Sequence, residues 1–256
     1  MSNIKCIDVS EWQNKIDWKK VKASGIEYAI LRAGFGRDIS QVDFEFEENY
    51  KDAKKAGIKL GVYWFSYADS VEDAKREAKA CLEVIKGKTF ELPVYYDLEF
   101  STQINYGKTV LTNIAKTFCE TIKKQGYSVG VYANLNWFLN YIDYEALKKS
   151  YSIWLAQYHT KPELNCDIWQ YTSEGKITGV SGNVDVNIIY NKDVINIRGD
   201  VNGDTKVNIK DVTLIQKHVA KTKKLTAKQL KKGDINKDGR VNIKDATALQ
   251  KEIAKK

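Results

Sequence analysis

Three observations predict an α/β barrel followed by a small all-α domain. Up to about residue 190 the chain repeats a helix, a closing glycine and an apolar strand, in VKASGIEYAILRAG, AKKAGIKLGVYWFS and IKKQGYSVGVYAN. Three short strands then follow with little room for helices between them. Every Trp, Tyr and Phe lies at or before Tyr190, and the aromatic-free tail repeats a loop-and-helix unit at a 34-residue offset, from Gly199 and from Gly233.

In the first part, Gly25, Gly57 and Gly126 stand where a left-handed helix cap is wanted, and each hands the chain to a strand. Adding KCIDVS at the start and LPVYYDLEF in the middle gives five strands. Helices are expected around residues 18–24, 43–56, 71–86 and 106–125, with Ser70 and Asp73 opening the third. SIWLAQY, CDIWQYT and VDVNIIY supply three more strands. Alternating strands and helices with right-handed crossovers imply a parallel sheet, and eight strands over about 190 residues suggest a compact, irregular barrel. An open doubly wound sheet is the alternative. Domain boundaries are expected at 1–192 and 199–256, with residues 193–198 as a short linker.

A chain of 256 residues, 43% apolar, holds one sizeable core and a small appendage. No run of about 18 apolar residues occurs, and MSNIKCIDVS lacks an apolar signal core, so membrane insertion is not expected. Cys6, Cys81, Cys119 and Cys166 are too scattered for a zinc site and too few for a stapled scaffold, and read as mostly buried thiols. The formal charge of +8 favours anionic surroundings without naming them.

The stretch LPVYYDLEF carries the chemistry. On a strand, residues i and i+2 share a face, so Asp97 and Glu99 point the same way as Tyr95, while Tyr96 and Leu98 point the other way. At the C-terminal end of a barrel strand that face is the mouth, where such folds keep their active sites. Asp8 in CIDVSEWQ and Asp185 in GNVDVN are expected at the same mouth. Converging acids and aromatic neighbours raise proton affinity, so that one acid stays protonated near neutrality, as a glycosidic general acid must. Simpler readings are a helix cap, an ion pair with Arg32, or a divalent-metal site.

DVSEWQ (8–13), GVYWFSYA (61–68), PVYYDLE (93–99), WLAQY (154–158) and WQYTSEGKITGVSGNVDVN (169–187), in that order, resemble the glycoside hydrolase family 25, or Chalaropsis-type, lysozymes. The resemblance covers essentially residues 1–190. It implies an irregular (β/α)5(β)3 TIM-like barrel and an N-acetylmuramidase that cuts the β-1,4 bond from N-acetylmuramic acid to N-acetylglucosamine in peptidoglycan. It also implies Glu99 as catalytic acid, Asp97 as the partner carboxylate, and Asp8 and Asp185 as acids that position and tune the pair. Tyr63, Trp154, Gln157 and Gln170 are implied as substrate-binding residues, with core packing as the plain alternative for the aromatics. No cofactor is expected for catalysis.

In the tail, oxygen-bearing side chains recur at loop positions 1, 3, 5, 9 and 12: Asp200, Asn202, Asp204, Asn208 and Asp211, then Asp234, Asn236, Asp238, Asn242 and Asp245. That is calcium-loop spacing, with the carbonyls of Lys206 and Arg240 at position 7. An apolar helical pattern follows each loop (Val212, Ile215, Val219; Ala246, Leu249, Ile253), and no equally clear helix precedes either. The repeat resembles a type I dockerin over residues 199–256. This implies a small all-α dockerin domain with two structural Ca²⁺ ions, and a cohesin module as partner. Ile209, Lys210, Gln216 and Lys217 would meet it, mirrored by Ile243, Lys244, Gln250 and Lys251. Thr205 departs from the glycine usual at position 6 of the first loop.

The expectation is therefore a cell-wall muramidase, extracellular or wall-bound, acting as a monomer on peptidoglycan and attached through a cohesin. Its rivals are a catalytically silent glycan-binding module and a chitinase-like hydrolase, the latter disfavoured by the missing DxxDxDxE series. Nucleic acid is not expected as a partner, because the Lys-rich tail has no aromatic to stack on bases.

Overall fold

The computed structural model describes residues 4–255. The chain divides into two compact units, one running to Val194 and the other beginning at Ile195.

In the first unit, strands β1 (Ile4–Val9), β2 (Tyr28–Phe35), β3 (Lys59–Phe65), β4 (Val94–Asp97), β5 (Val129–Asn134), β6 (Ser152–Ala156), β7 (Ile168–Gly175) and β8 (Val184–Ile189) close into one barrel in sequence order. Closure rules out the open doubly wound sheet. Helices α1 (Trp18–Ala23), α2 (Phe46–Lys55), α3 (Val71–Val84) and α4 (Lys108–Lys123) return the chain after β1 to β4. After β5 come a π-helical turn, Trp137–Tyr141, and a single turn of α-helix, α5 (Tyr144–Leu147), which sequence patterning missed because both are shorter than a recognisable helical period.

Gly25, Gly57 and Gly126 have φ of +92°, +77° and +88°, as the helix-to-strand handover requires. Ser70 caps α3 by accepting a hydrogen bond from the Asp73 N–H at 3.2 Å. β4 is buried on both faces, as a barrel strand under a helical layer must be. Its outward residue Tyr96 stacks on Phe118 of α4, with centroids 3.9 Å apart and planes 6° off parallel. Leu98 joins the same outer core, which lies between sheet and helices. The inward Tyr95 fills the barrel interior, and a Cβ on Gly130 of β5 would run into its ring.

One feature of the parallel-sheet expectation is corrected. β1 to β7 run parallel, but β8 is antiparallel to both β7 and β1. Residues 176–183 are too few for a crossover of a dozen or more residues, so the chain turns straight back.

The second unit contains α6 (Ile209–Val219), α7 (Ala227–Gly233) and α8 (Ile243–Ile253). Its core is Val201, Val212, Ile215, Leu225, Ile235, Ala246 and Leu249. Val219, at the end of α6, is exposed rather than part of the expected stripe. The expectation that no helix precedes either loop is also corrected, because α7 leads directly into the second. It starts at a capping box in which Thr226 accepts from the Gln229 N–H and Gln229 accepts from the Thr226 N–H.

Candidate active site

The barrel mouth gathers the acids. Asp97 is the last residue of β4, and Glu99 lies just beyond it, after the Leu98 N–H has bonded to the Tyr132 carbonyl at 3.0 Å. Asp8 lies near the C-terminal end of β1. Asp185 is the second residue of β8, and only because β8 runs backwards does its first turn reach the mouth, in direct register with Asp8. Two adjoining cavities of about 240 and 190 Å³ are both lined by Asp8, Tyr63, Asp97, Glu99 and Asp185. Ser10, Trp12, Gln13 and Arg32 extend the first, and Tyr132, Trp154, Tyr158 and Gln170 extend the second.

A hydrogen-bond network fixes the floor. Oδ2 of Asp8 accepts from Gln170 Nε2 at 3.0 Å and from Asn187 Nδ2 at 2.7 Å. Oε1 of Gln170 accepts from the Tyr132 and Tyr158 hydroxyls at 3.0 and 3.2 Å, and Oδ1 of Asn187 accepts from Trp154 Nε1 at 2.7 Å. Because each amide oxygen already accepts, each amide nitrogen is left to donate to Asp8. Among the described residues the four acids form no ion pair. Arg32 is committed to Asp43 at 2.6 Å and Glu11 at 2.5 Å, which disposes of it as the simple partner of a mouth acid. Oδ1 of Asp97 is buried with no hydrogen-bond partner among the described residues.

This geometry raises proton affinity throughout. Burial, then repulsion from Glu99 and Asp8, holds Asp97 well above its ordinary value, with Arg32 opposing. Burial and the facing Asp185 hold Asp8 well up, partly offset by the Asn187 and Gln170 hydrogen bonds. Glu99 meets solvent through the cavity, yet the protein around it and the charge of Asp185 push it up as well. Asp185 is raised to about 6 by burial. Mutual repulsion and burial thus favour the protonated form of these acids at the mouth.

In the second unit, the loop carboxylates are turned onto their own backbone. Asp200 accepts from the N–H groups of Gly203 and Thr205, Asp211 from Asn202 and Asn208, Asp234 from Asp238 and Gly239, and Asp245 from Ile235, Asn236 and Asn242. Asp204 and Asp238 accept from the position-7 N–H groups of Lys206 and Arg240. Asn208 and Asn242 cap α6 and α8, which occupies their side-chain oxygens. Among the described residues no three His, Cys, Asp or Glu side chains converge as a ready-made metal cage. The donor chemistry, hard oxygens on alternate residues of a tight loop, nevertheless suits a calcium-class cation.

The model of the glycosyl hydrolases family 25 matches residues 7–180. The chain belongs to glycosyl hydrolase family 25. A second model, the dockerin type I domain, matches residues 198–254. The autolytic lysozyme of Clostridium acetobutylicum is 26% identical over 188 residues, covering 72% of this chain and 55% of the relative, so the chain spans little more than half that protein's length. The modular autolysin LytC of Streptococcus pneumoniae, solved in complex with a synthetic peptidoglycan ligand, is 29% identical with a TM-score of 0.65, covering 73% of this chain and 47% of that one. A family 25 glycosyl hydrolase from Bacillus anthracis is 27% identical with a TM-score of 0.64, over 73% of this chain and 88% of that one.

Within this family 25 barrel, Tyr63, Trp154 and Gln170 line the cavities alongside the four acids, whereas Gln157 does not. Its amide donates to Glu163 at 2.5 Å and accepts from the Glu163 N–H at 2.9 Å, closing the loop after β6. Trp154 is buried edge-on to Tyr63 and Tyr95 and tilted against Tyr132, so it is a wall rather than an open platform. Sequence reasoning missed Trp12, Tyr132, Tyr158 and Asn187. Asn187 was within reach, since it follows Asp185 by two on one strand face. Trp12, 75% exposed beside the acids, sits inside the quoted DVSEWQ motif.

Proposed function

We propose that the chain is a peptidoglycan hydrolase, specifically an N-acetylmuramidase that cleaves the β-1,4 bond from N-acetylmuramic acid to N-acetylglucosamine. The observation that carries this reading is the set of four acids at one mouth, free of ion pairs among the described residues and including a buried Asp97 oxygen with no partner there. Glu99 gives its proton to the glycosidic oxygen as the C1–O bond breaks, the bonding pair leaves with that oxygen, and a water then adds to C1 and returns a proton to Glu99. Asp97 accepts a hydrogen bond from the 2-acetamido N–H and counters the positive charge growing at C1. Asp8, held by Gln170 and Asn187, and Asp185 place the pair, and the charge of Asp185 helps keep the proton on Glu99. Relatives named lysozyme and autolysin, one of them solved with a peptidoglycan ligand, support the substrate class. We read the barrel as five βα units and three further strands.

The dockerin domain gives the enzyme an attachment. We propose that it binds a cohesin module outside the cell or at the cell surface, with Ca²⁺ held by the two loops through Asp200, Asn202, Asp204, the Lys206 carbonyl, Asn208 and Asp211, and through Asp234, Asn236, Asp238, the Arg240 carbonyl, Asn242 and Asp245. Calcium supplies the charge neutralisation that keeps such loops closed. Ile209 and Ile243, the first residues of α6 and α8, are 56% and 54% exposed, and Lys210, Gln216, Lys217 and their mirrors are exposed too. This supports two equivalent binding faces.

Clearing of a Gram-positive cell-wall suspension tests the enzyme: Glu99→Gln is expected to abolish it, and undiminished clearing would refute the assignment. Faster cleavage of chitin oligomers than of peptidoglycan would point to the chitinase-like reading. For the dockerin, loss of cohesin binding on mutating α6 alone would refute two equivalent faces.

A further inference from the structure

The two dockerin loops carry the same ligand pattern but unequal surroundings. Lys232, in the penultimate position of α7, places Nζ 3.3 Å from Oδ2 of Asp200, position 1 of the first loop. Both side chains are withdrawn from water, at 4% and 1% exposure, so the ammonium is held within the protein as a counter-charge to that carboxylate.

The internal repeat supplies its own control. The residue 34 positions before Lys232 is Arg198, which also stands two places ahead of a loop's first aspartate. Arg198 does not turn to the opposite loop's position-1 acid. It donates to the Ile235 carbonyl at 2.9 Å and to the Glu252 carboxylate at 2.9 and 3.0 Å, about half exposed. Asp234 accepts only from the backbone N–H groups of Asp238 and Gly239 among the described residues. Each loop has three aspartates, but among the contacts of the described residues the first alone has a buried cation set against them.

Backbone geometry adds to the asymmetry. Position 6 is left-handed in both loops, at Thr205 (φ 70°) and Gly239 (φ 83°). Position 4 is left-handed in both as well, at Gly203 (φ 78°) and Lys237 (φ 59°). Each loop therefore places one non-glycine residue there, but in the first that residue is β-branched, the side-chain type least at ease in that region.

We propose that Lys232 is a built-in counter-cation of the first loop, so that the two loops bind Ca²⁺ unequally, the second tightly and the first weakly. The inference rests on the calcium reading of the dockerin given above. A cation entering the first loop shares Asp200 with an ammonium or displaces it into solvent, and affinity in such loops follows ligand charge and rigidity. Without metal, the same ammonium keeps the first loop closed, whereas among the described residues the second shows no such buried substitute.

Calorimetric titration of the chelator-stripped full chain with CaCl₂, at fixed ionic strength, tests this. The expected result is two steps whose affinities differ by about tenfold or more. Asp238→Ala removes the tight step and Asp204→Ala the weak one. Lys232→Met tightens the weak step by about tenfold and leaves the tight step in place, while lowering the melting temperature of the metal-free chain. Lys232→Gln, which retains a polar head, serves if the Met variant does not fold, and moves the weak step in the same direction. Two steps of equal affinity, a weak step unmoved by either Lys232 variant, or loss of the tight step in Asp204→Ala would overturn the proposal while leaving the calcium reading intact. No calcium binding at all would overturn both.

Discussion

Asp8 and Asp185 stand directly opposite each other in antiparallel register across β1 and β8, two carboxylates on neighbouring backbones at the barrel mouth. Like charges placed so are unfavourable in a sheet, and burial makes them more so. Asn187 and Gln170 offset part of this cost by donating to Asp8, while Asp8 in turn raises the proton affinity of Asp97 and Asp185 that of Glu99.

That relationship predicts a pH effect. In the proposed mechanism Glu99 acts while protonated, and the charge of Asp185, present above about pH 6, helps hold that proton. Asp185→Asn removes the charge, so Glu99 loses its proton at lower pH. The alkaline limb of kcat/KM is expected to move to lower pH, and a profile with that limb unmoved would remove Asp185 from the tuning role.

Trp12 presents an open ring beside the acids and is 75% exposed. Taking for a ring on a sugar face the roughly 0.5–1.5 kcal/mol that aromatic pairs contribute beyond their area, Trp12→Ala is expected to raise KM about two- to tenfold. Melting temperature should hardly change, because little of the side chain is buried. An unchanged KM with an altered melting temperature would make Trp12 a packing residue.

Away from the cavities, Glu77 on α3 is buried and raised to about 7, mainly by burial. It accepts from the Tyr67 N–H at 2.9 Å and the Tyr96 hydroxyl at 2.7 Å, with Ser66 and Asp73 nearby. Its folded-state value lies above its unfolded one, so the stability it contributes is full below about pH 4.5 and is lost as pH rises to about 7. The stability difference between the native chain and Glu77→Gln, followed by urea unfolding, is expected to change by about 3 kcal/mol across that window. A pH-independent difference would show that Glu77 is ionised throughout.

The alternation in LPVYYDLEF made the face of Asp97 and Glu99 legible, because a period of two is a local property of the backbone. The helix-capping glycines were legible for the same reason. The expected place of Asp185 at the mouth agrees with the structure, but its route there depends on the reversal of β8, which follows from the shortness of residues 176–183 rather than from any residue's preference. The engagement of Gln157 with Glu163, which turns it away from the two cavities, depends on how the loop after β6 closes and is not legible from a local pattern. The Lys232–Asp200 contact spans 32 residues and exists only once α7 is folded, and no local pattern encodes it.

The most direct test of the account is mass spectrometry of the reducing ends released from purified peptidoglycan by the native chain and by Glu99→Gln. The account predicts N-acetylmuramic acid at the new reducing ends with the native chain, and release reduced by about a hundredfold or more with Glu99→Gln. New ends in N-acetylglucosamine, or equal release by the two proteins, would contradict it.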